Sequence, residues 1–275
     1  MSDISGASSR PSDHASPWPL KAAPGSSPWQ ARLASDQETV FSRFVELCDL
    51  RGAAVLEIGG LLPESLVAAA GAAVWWAVDP RNPVGEGSGR VRPLRGRASA
   101  LPLPDGSIDC VFSSNAFQHV HDLPETLDEV ARVLKPGGQF ITSVVGDGFA
   151  RNLLGTKQLD TFGMDGSRYG RWFNKLSYHF NTLSAQEWRA RFEAAGLEVV
   201  YQRPYFSFAA LKLFDFSHYY GAPALLTRRL TGRWLLYPPV TPNLLWEPLL
   251  RRIYEAAPGE DGPYYFFICR KPPAD

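Results

Sequence analysis

The sequence predicts an α/β protein built on a doubly wound, parallel sheet with helices on both faces. Three observations carry this reading. Between Val55 and Val144, short apolar runs suited to buried strands alternate with helical stretches. One amphipathic segment, Leu123–Leu134, separates two such runs and is stopped by Pro136-Gly137-Gly138. Two runs end in residues suited to a ligand, Gly59-Gly60 and Asp79, and sheets of this kind bind ligands beyond the carboxyl ends of their strands.

The elements follow in order. Residues 1–30 are rich in Ser, Pro, Ala and Gly, show no periodicity and contain no apolar core of signal-peptide length, so they read as a disordered tail. Trp18 and Trp29 stand out there, and Trp29 reads as packing where the fold begins. Residues 31–275 read as a single domain. Asp36 can cap a helix through Val40, Phe41, Phe44, Val45 and Leu47, and Arg51-Gly52 delivers the chain to a first strand, Ala53–Ile58. A short helix, Glu64–Ala70, stopped by Gly71, precedes a second strand, Ala73–Val78. Residues 84–92 are Gly-rich and charged and form a loop before a short third strand, Val91–Leu94. The fourth strand is Ile108–Ser113, and the fifth, Gln139–Val145, follows the Leu123–Leu134 helix. Ser184-Ala-Gln-Glu187 is a capping box for a helix carrying Trp188, Phe192 and Ala195 and ending at Gly196. Leu197–Tyr201 is the sixth strand and Tyr264–Cys269 the last.

Composition narrows the function. The chain has 28 Lys+Arg against 28 Asp+Glu, so no global field draws it to nucleic acid. Arg228-Arg229 and Arg251-Arg252 are too sparse for a phosphate-tracking stripe. Cys48, Cys110 and Cys269 lie far apart in apolar contexts, which suits a reducing, cytoplasmic compartment and offers neither a disulfide framework nor a zinc site. No run approaches the roughly 20 apolar residues needed to span a bilayer. The run Trp234–Val240 leaves peripheral membrane contact open, with buried packing the simpler reading.

Leu101-Pro-Leu-Pro-Asp-Gly-Ser-Ile-Asp-Cys-Val111, followed by Ala131-Arg-Val-Leu-Lys-Pro-Gly-Gly138, resembles the class I S-adenosylmethionine-dependent methyltransferases, in particular the small-molecule, ubiquinone-biosynthesis-like branch. The resemblance extends over Val55–Gly60, Val78-Asp79, Ala98–Val120 and Glu129–Phe140. It implies a Rossmann-like, seven-stranded sheet, six strands parallel and the last antiparallel beside the sixth. It also implies a cofactor half at about 51–146 and substrate-side loops and an aromatic-rich cap at about 147–180 and 206–257.

The resemblance further implies S-adenosyl-L-methionine as cofactor. Glu57, Gly59 and Gly60 would form the turn facing its methionine end. Asp79, twenty residues beyond Gly59, would accept both ribose hydroxyls, a task suited to an acceptor-only carboxylate. Ala98 and Leu101 would meet the adenine, and Ser114 and Asn115 would lie beside the methyl group. Two departures stand out. Glu57-Ile-Gly-Gly-Leu-Leu-Pro63 is a degenerate form of the family's glycine motif, with Leu61 and Leu62 where small residues are usual. Arg97 stands where the family has an acid.

His119 and His179 are candidate general bases, because histidine titrates near neutrality. His121 is an alternative base to His119 that reads more simply as helix surface or capping, and His218 reads as packing. Aromatics of the substrate-side segments, such as Phe149, Tyr169, Phe173 and Phe206, would first build a core of their own, and any surplus would favour a hydrophobic or aromatic small-molecule acceptor. The reading is methyl transfer to such an acceptor, through an oxygen of a secondary metabolite, sugar or lipid-linked glycan. Two alternatives stay open: a catalytically degenerate binding or partner-stabilising subunit, and a different rearrangement that keeps the cofactor for structure.

Overall fold

Strands inside a parallel sheet are covered on both faces, so they need continuous apolar runs rather than alternation. β1 (Ala54–Ile58) meets that need, with Val55 through Ile58 all buried, and β4 (Ile108–Ser114) nearly so. The computed structural model describes residues 50–59, 67–68, 70–80, 91–216 and 262–274. The tail at 1–30, the helix begun at Asp36, the loop after Pro83, most of the Glu64–Ala70 helix and the cap beyond residue 216 lie outside the described residues, as do Gly60, Leu61, Leu62, His218 and Trp234–Val240. Val67, Ala68 and Ala70 are helical, at the end of that expected helix.

The remaining strands are β2 (Val74–Asp79), β3 (Val91–Arg95), β5 (Leu134–Val145), β6 (Glu198–Tyr205) and β7 (Tyr264–Arg270). They form one seven-stranded sheet in the order β3-β2-β1-β4-β5-β7-β6. β1, β2, β3, β4 and β5 pair in parallel, and β7 runs antiparallel between β5 and β6, so six strands share one direction as expected. Pro93 is tolerated in β3 because that strand is an edge.

Boundaries differ from expectation at the end of the Leu123 helix, the start of β5 and the end of β6. Helix α1 (Leu123–Val133) ends one residue early, because Leu134 is already extended and pairs with Ile108. The Pro-Gly-Gly stop therefore lies within β5, where Gly137 takes a positive φ of 78° and the register shifts between Ile108 and Cys110. β6 runs four residues past Tyr201, since Gln202 through Tyr205 keep pairing with β7.

α1 and α5 (Ala185–Ala194) cover the sheet through one apolar cluster that includes Leu127, Val130, Trp188 and Phe192. The capping box predicted at Ser184 and Glu187 is present. A second cluster gathers around Val145, Phe149, Phe173, Phe206 and Leu211, where β5 gives way to the short helices α2 (Gly148–Arg151), α3 (Leu154–Thr161) and α4 (Ser167–Leu176). Phe149 and Phe173, with Tyr169 packed against them, thus build a core of their own.

The two most family-like phrases are physically joined. Arg132 donates to the carbonyls of Leu101 and Leu103 at 3.0 and 2.9 Å and to the Asp105 carboxylate at 2.6 Å. It also forks onto Glu129, which accepts the Leu101 N–H at 2.7 Å. Lys135 reaches Asp109 at 2.6 Å, and the other oxygen of Asp109 accepts the Ala54 N–H. A Cβ on Gly138 would lie 2.9 Å from the Lys135 carbonyl oxygen, so no side chain fits there.

Candidate active site

The chain leaves β1 toward β2 on one side and returns to β4 on the other. The crevice above the carboxyl ends of β1 and β4 is therefore the switch point of the sheet.

On the β1–β2–β3 side, Gly59 follows β1 with φ 84°, and a Cβ there would fall on that of Ala116. Glycine is required here on both counts. Glu57, only 4% exposed, accepts the Trp75 indole N–H at 2.8 Å, the kind of donor a buried carboxylate needs. Asp79 is the last residue of β2 and only 8% exposed, at the strand end where a ribose acceptor is expected. Leu101 lies in the main core, and Ala98 packs against that core. Arg97 pairs with Asp122 at 2.9 Å in an exposed contact. The described residues fit the family's cofactor in donor chemistry: a shielded strand-end carboxylate can take two hydroxyls, and a turn without a Cβ leaves backbone exposed to a ligand.

On the β4–β5 side, Ser114 ends β4 with its Oγ 3.5 Å from that of Ser143. Asn115 adopts φ 50°, a conformation asparagine tolerates better than most residues. Its N–H donates to the Ser143 carbonyl at 3.0 Å, and its Oδ1 accepts the Tyr205 hydroxyl at 3.2 Å. The turn η1 (Phe117–His119) then presents His119.

His119 and His179 come together, their ring centroids 5.2 Å apart, although 60 residues separate them. His119 Nδ1 lies 3.0 Å from the Tyr178 carbonyl oxygen, which can only accept, so Nδ1 carries a hydrogen, while Nε2 lies 3.4 Å from the Gln118 amide nitrogen. His179 packs edge-on against Phe149 at 5.3 Å. Burial, with His119 adding a smaller effect, lowers its pKa to about 4. His179 is thus held neutral at physiological pH.

The segment bearing His179 is stitched to η1. Gln118 accepts the Phe180 N–H at 2.7 Å through its carbonyl, and the Asn181 amide donates to the carbonyls of Phe117 and Val120 at 3.0 and 2.6 Å. Ala116, Gln118, Asn181 and Tyr205 therefore join the site without having been expected. No local signal could have found them, because each acts on a partner distant in the chain. His121 lies against Phe180, the two rings tilted with centroids 3.8 Å apart.

A sheet ordered 3-2-1-4-5-7-6, with a shielded acid ending β2, is the architecture of the class I methyltransferases. Comparison with known proteins agrees. A family model described as a methyltransferase domain matches residues 66–142. A probable S-adenosylmethionine-dependent methyltransferase of Mycolicibacterium smegmatis is 32% identical over 129 residues, 47% of this chain and 44% of the relative. Malonyl-[acyl-carrier protein] O-methyltransferase 1 of Coxiella burnetii is 53% identical over 51 residues, 18% of each chain. The match thus spans less than half of either relative. Among solved structures, the [4+2]-cyclase SpnF covers 92% of this chain and 86% of its own, with a TM-score of 0.53 at 17% identity, a likeness of fold alone. Residues 66–142 thus match a methyltransferase domain, and the sheet has the fold of the class I S-adenosylmethionine-dependent methyltransferases, whose cofactor is S-adenosyl-L-methionine.

Proposed function

We propose that this protein transfers a methyl group from S-adenosyl-L-methionine to an oxygen of a small, hydrophobic or aromatic molecule. The observation that carries the reading is the division of the crevice. Gly59 and Asp79 lie at the ends of β1 and β2, and the His119–His179 pair lies past the end of β4. When bound, S-adenosylmethionine supplies a methyl group on a positively charged sulfur. Asp79 would hold the ribose hydroxyls, with Glu57, Gly59 and Gly60 at the methionine end, Ala98 and Leu101 at the adenine, and Ser114 and Asn115 between cofactor and acceptor. His119 Nε2 would take the acceptor's hydroxyl proton as its oxygen attacks. Imidazoles, amides and the Tyr205 hydroxyl suit a hydroxyl-bearing acceptor.

A second reading keeps the fold but not the reaction, as a binding or partner-stabilising subunit. Leu61, Leu62 and the engagement of Arg97 with Asp122 favour it. A third, a rearrangement in the aromatic pocket, draws on the likeness to SpnF, a cyclase. Calorimetric titration with S-adenosylhomocysteine separates the second from the others. Micromolar binding lost in Asp79→Ala supports a cofactor seated on β2. A folded wild type that binds nothing at millimolar ligand would sink the methyl-transfer reading. Methylated product then separates the first from the third.

A further inference from the structure

The hairpin of α3 and α4 leaves an unusual face in water. Their connection is a tight helix stop: Gly163 has φ 72°, and the Met164 N–H reaches back to the Leu159 carbonyl at 2.9 Å. That stop puts Phe162, 76% exposed, and Met164 at the tip. α4 buries Gly170 and Phe173 and turns Arg168, Arg171, Trp172, Lys175 and Leu176 outward. These five share one arc of the helix at its 3.6-residue period. Single exposed apolar residues need no explanation, but two on one helix arc, two more at the adjoining tip, and cations set between them do.

The hairpin is held firmly from behind. A Cβ on Gly170 would lie 2.8 Å from the Ala150 carbonyl oxygen, so α4 approaches α2 closely. The buried Asp215 accepts both the Tyr169 hydroxyl at 2.6 Å and the Gly155 N–H at 2.9 Å, tying α4 and α3 to one carboxylate. The outward face is therefore a fixed surface. Across residues 154–176 four cations, Lys157, Arg168, Arg171 and Lys175, face two acids, Asp160 and Asp165. Asp165 is engaged with Ser167 and Arg171, and Asp160 accepts the Gly166 N–H, so both acids, though exposed, have partners on the hairpin itself and leave it a net positive charge.

We propose that this face docks on an anionic lipid bilayer. Aromatic and aliphatic side chains entering the headgroup boundary, with basic side chains among them reaching lipid phosphates, form the composition that holds a helix in the plane of a membrane. Net positive charge on the hairpin selects anionic lipid in an otherwise charge-balanced chain. The face is continuous with the candidate site. α4 ends at Leu176, 59% exposed, and the chain passes through the exposed Tyr178 directly to His179. An acceptor dissolved in the bilayer would meet the site across that rim. The docking surface itself does not depend on the methyl-transfer reading.

The test is co-sedimentation of the full chain, without cofactor, with vesicles of phosphatidylcholine alone and of phosphatidylcholine mixed with phosphatidylglycerol. Binding to the mixed vesicles, weakened by salt, is expected. The triple variant Arg168→Glu, Arg171→Glu, Lys175→Glu should weaken it by about a hundredfold or more, from the loss of three basic contacts. Trp172→Ala with Leu176→Ala should weaken it as well. All five positions are exposed, and circular dichroism verifies that each variant folds. Absence of binding to either vesicle, or binding that both variants retain, overturns the proposal. So does self-association in light scattering that Trp172→Ala with Leu176→Ala abolishes, since the face would then be an interface between copies of the chain.

Discussion

Burial beside Phe149, reinforced by the neighbouring His119, lowers the pKa of His179 from its ordinary 6.5 to about 4. An unfolded chain returns this imidazole to water, where it binds a proton near pH 6.5. Below that pH the unfolded state holds more protons than the folded one, so stability falls as pH drops from about 7.5 toward 4. The expected loss between pH 7.5 and 5 is up to about 2 kcal/mol from this group. Urea denaturation at both pH values checks it, with His179→Gln as control: the variant should show a flatter dependence. Paired carboxylates do not confuse this window, because their ordinary pKa values lie below it. An equal slope in wild type and variant would mean that His179 is solvated. Residue types alone made His119 and His179 candidates. Their pairing could not be read, because it depends on a backbone carbonyl at Tyr178 and on Asn181 pinning a distant segment to η1.

Among the elements, α1 and the loop after β3 behave as one piece, because Arg132 binds two loop carbonyls and two carboxylates at once. Its guanidinium holds the Glu129 carboxyl below the usual range, outweighing the opposing effect of burial. That stabilisation is complete above the ordinary glutamate pKa and is lost as pH falls through the lowered folded value. Arg132→Ala should cost about 3 kcal/mol, by stranding Glu129 and two carbonyls that are partly shielded from water. Arg132→Lys should recover only part of that, since an ammonium cannot fork onto a carboxylate while serving the loop. Denaturant midpoints of the two variants measure both. This coupling also explains what was readable. Leu101–Asp105 and Ala131–Gly138 stand out in the sequence because a single polar network ties their residue types together. The central strands were readable because burial on both faces demands apolar runs. The extra length of β6 was not, because Gln202 through Tyr205 are strand only by virtue of β7, some sixty residues further on. The antiparallel entry of β7 came from the family resemblance, since no local pattern distinguishes it from a parallel strand. The length of β5 was hidden by its Pro-Gly-Gly, which reads as a stop and is accommodated as a bulge.

In the molecule as a whole, the crevice at the β1–β4 switch point separates two tasks, and two substitutions should separate them in measurement. A ligand that binds only the folded state stabilises it by mass action, by about 2.7 kcal/mol at a hundred times its dissociation constant. For a domain of this size that corresponds to a rise of about 5–10 °C in the unfolding midpoint. Saturating S-adenosylhomocysteine should produce such a rise in wild type and in His119→Ala, because the proposed role of His119 is toward the acceptor. It should produce little or none in Asp79→Ala, which removes the carboxylate assigned to the ribose. Turnover on an identified acceptor should behave in the opposite sense for His119→Ala. It should fall by about 10²–10⁴, the usual contribution of a positioned base, while the thermal rise persists. A His119→Ala enzyme with undiminished turnover would mean that proximity and alignment alone drive the transfer, as they can when the acceptor oxygen is already ionised. A thermal rise that survives Asp79→Ala would move the cofactor off β2. The two halves of the crevice would then need reassigning, although the sheet that builds them would stand.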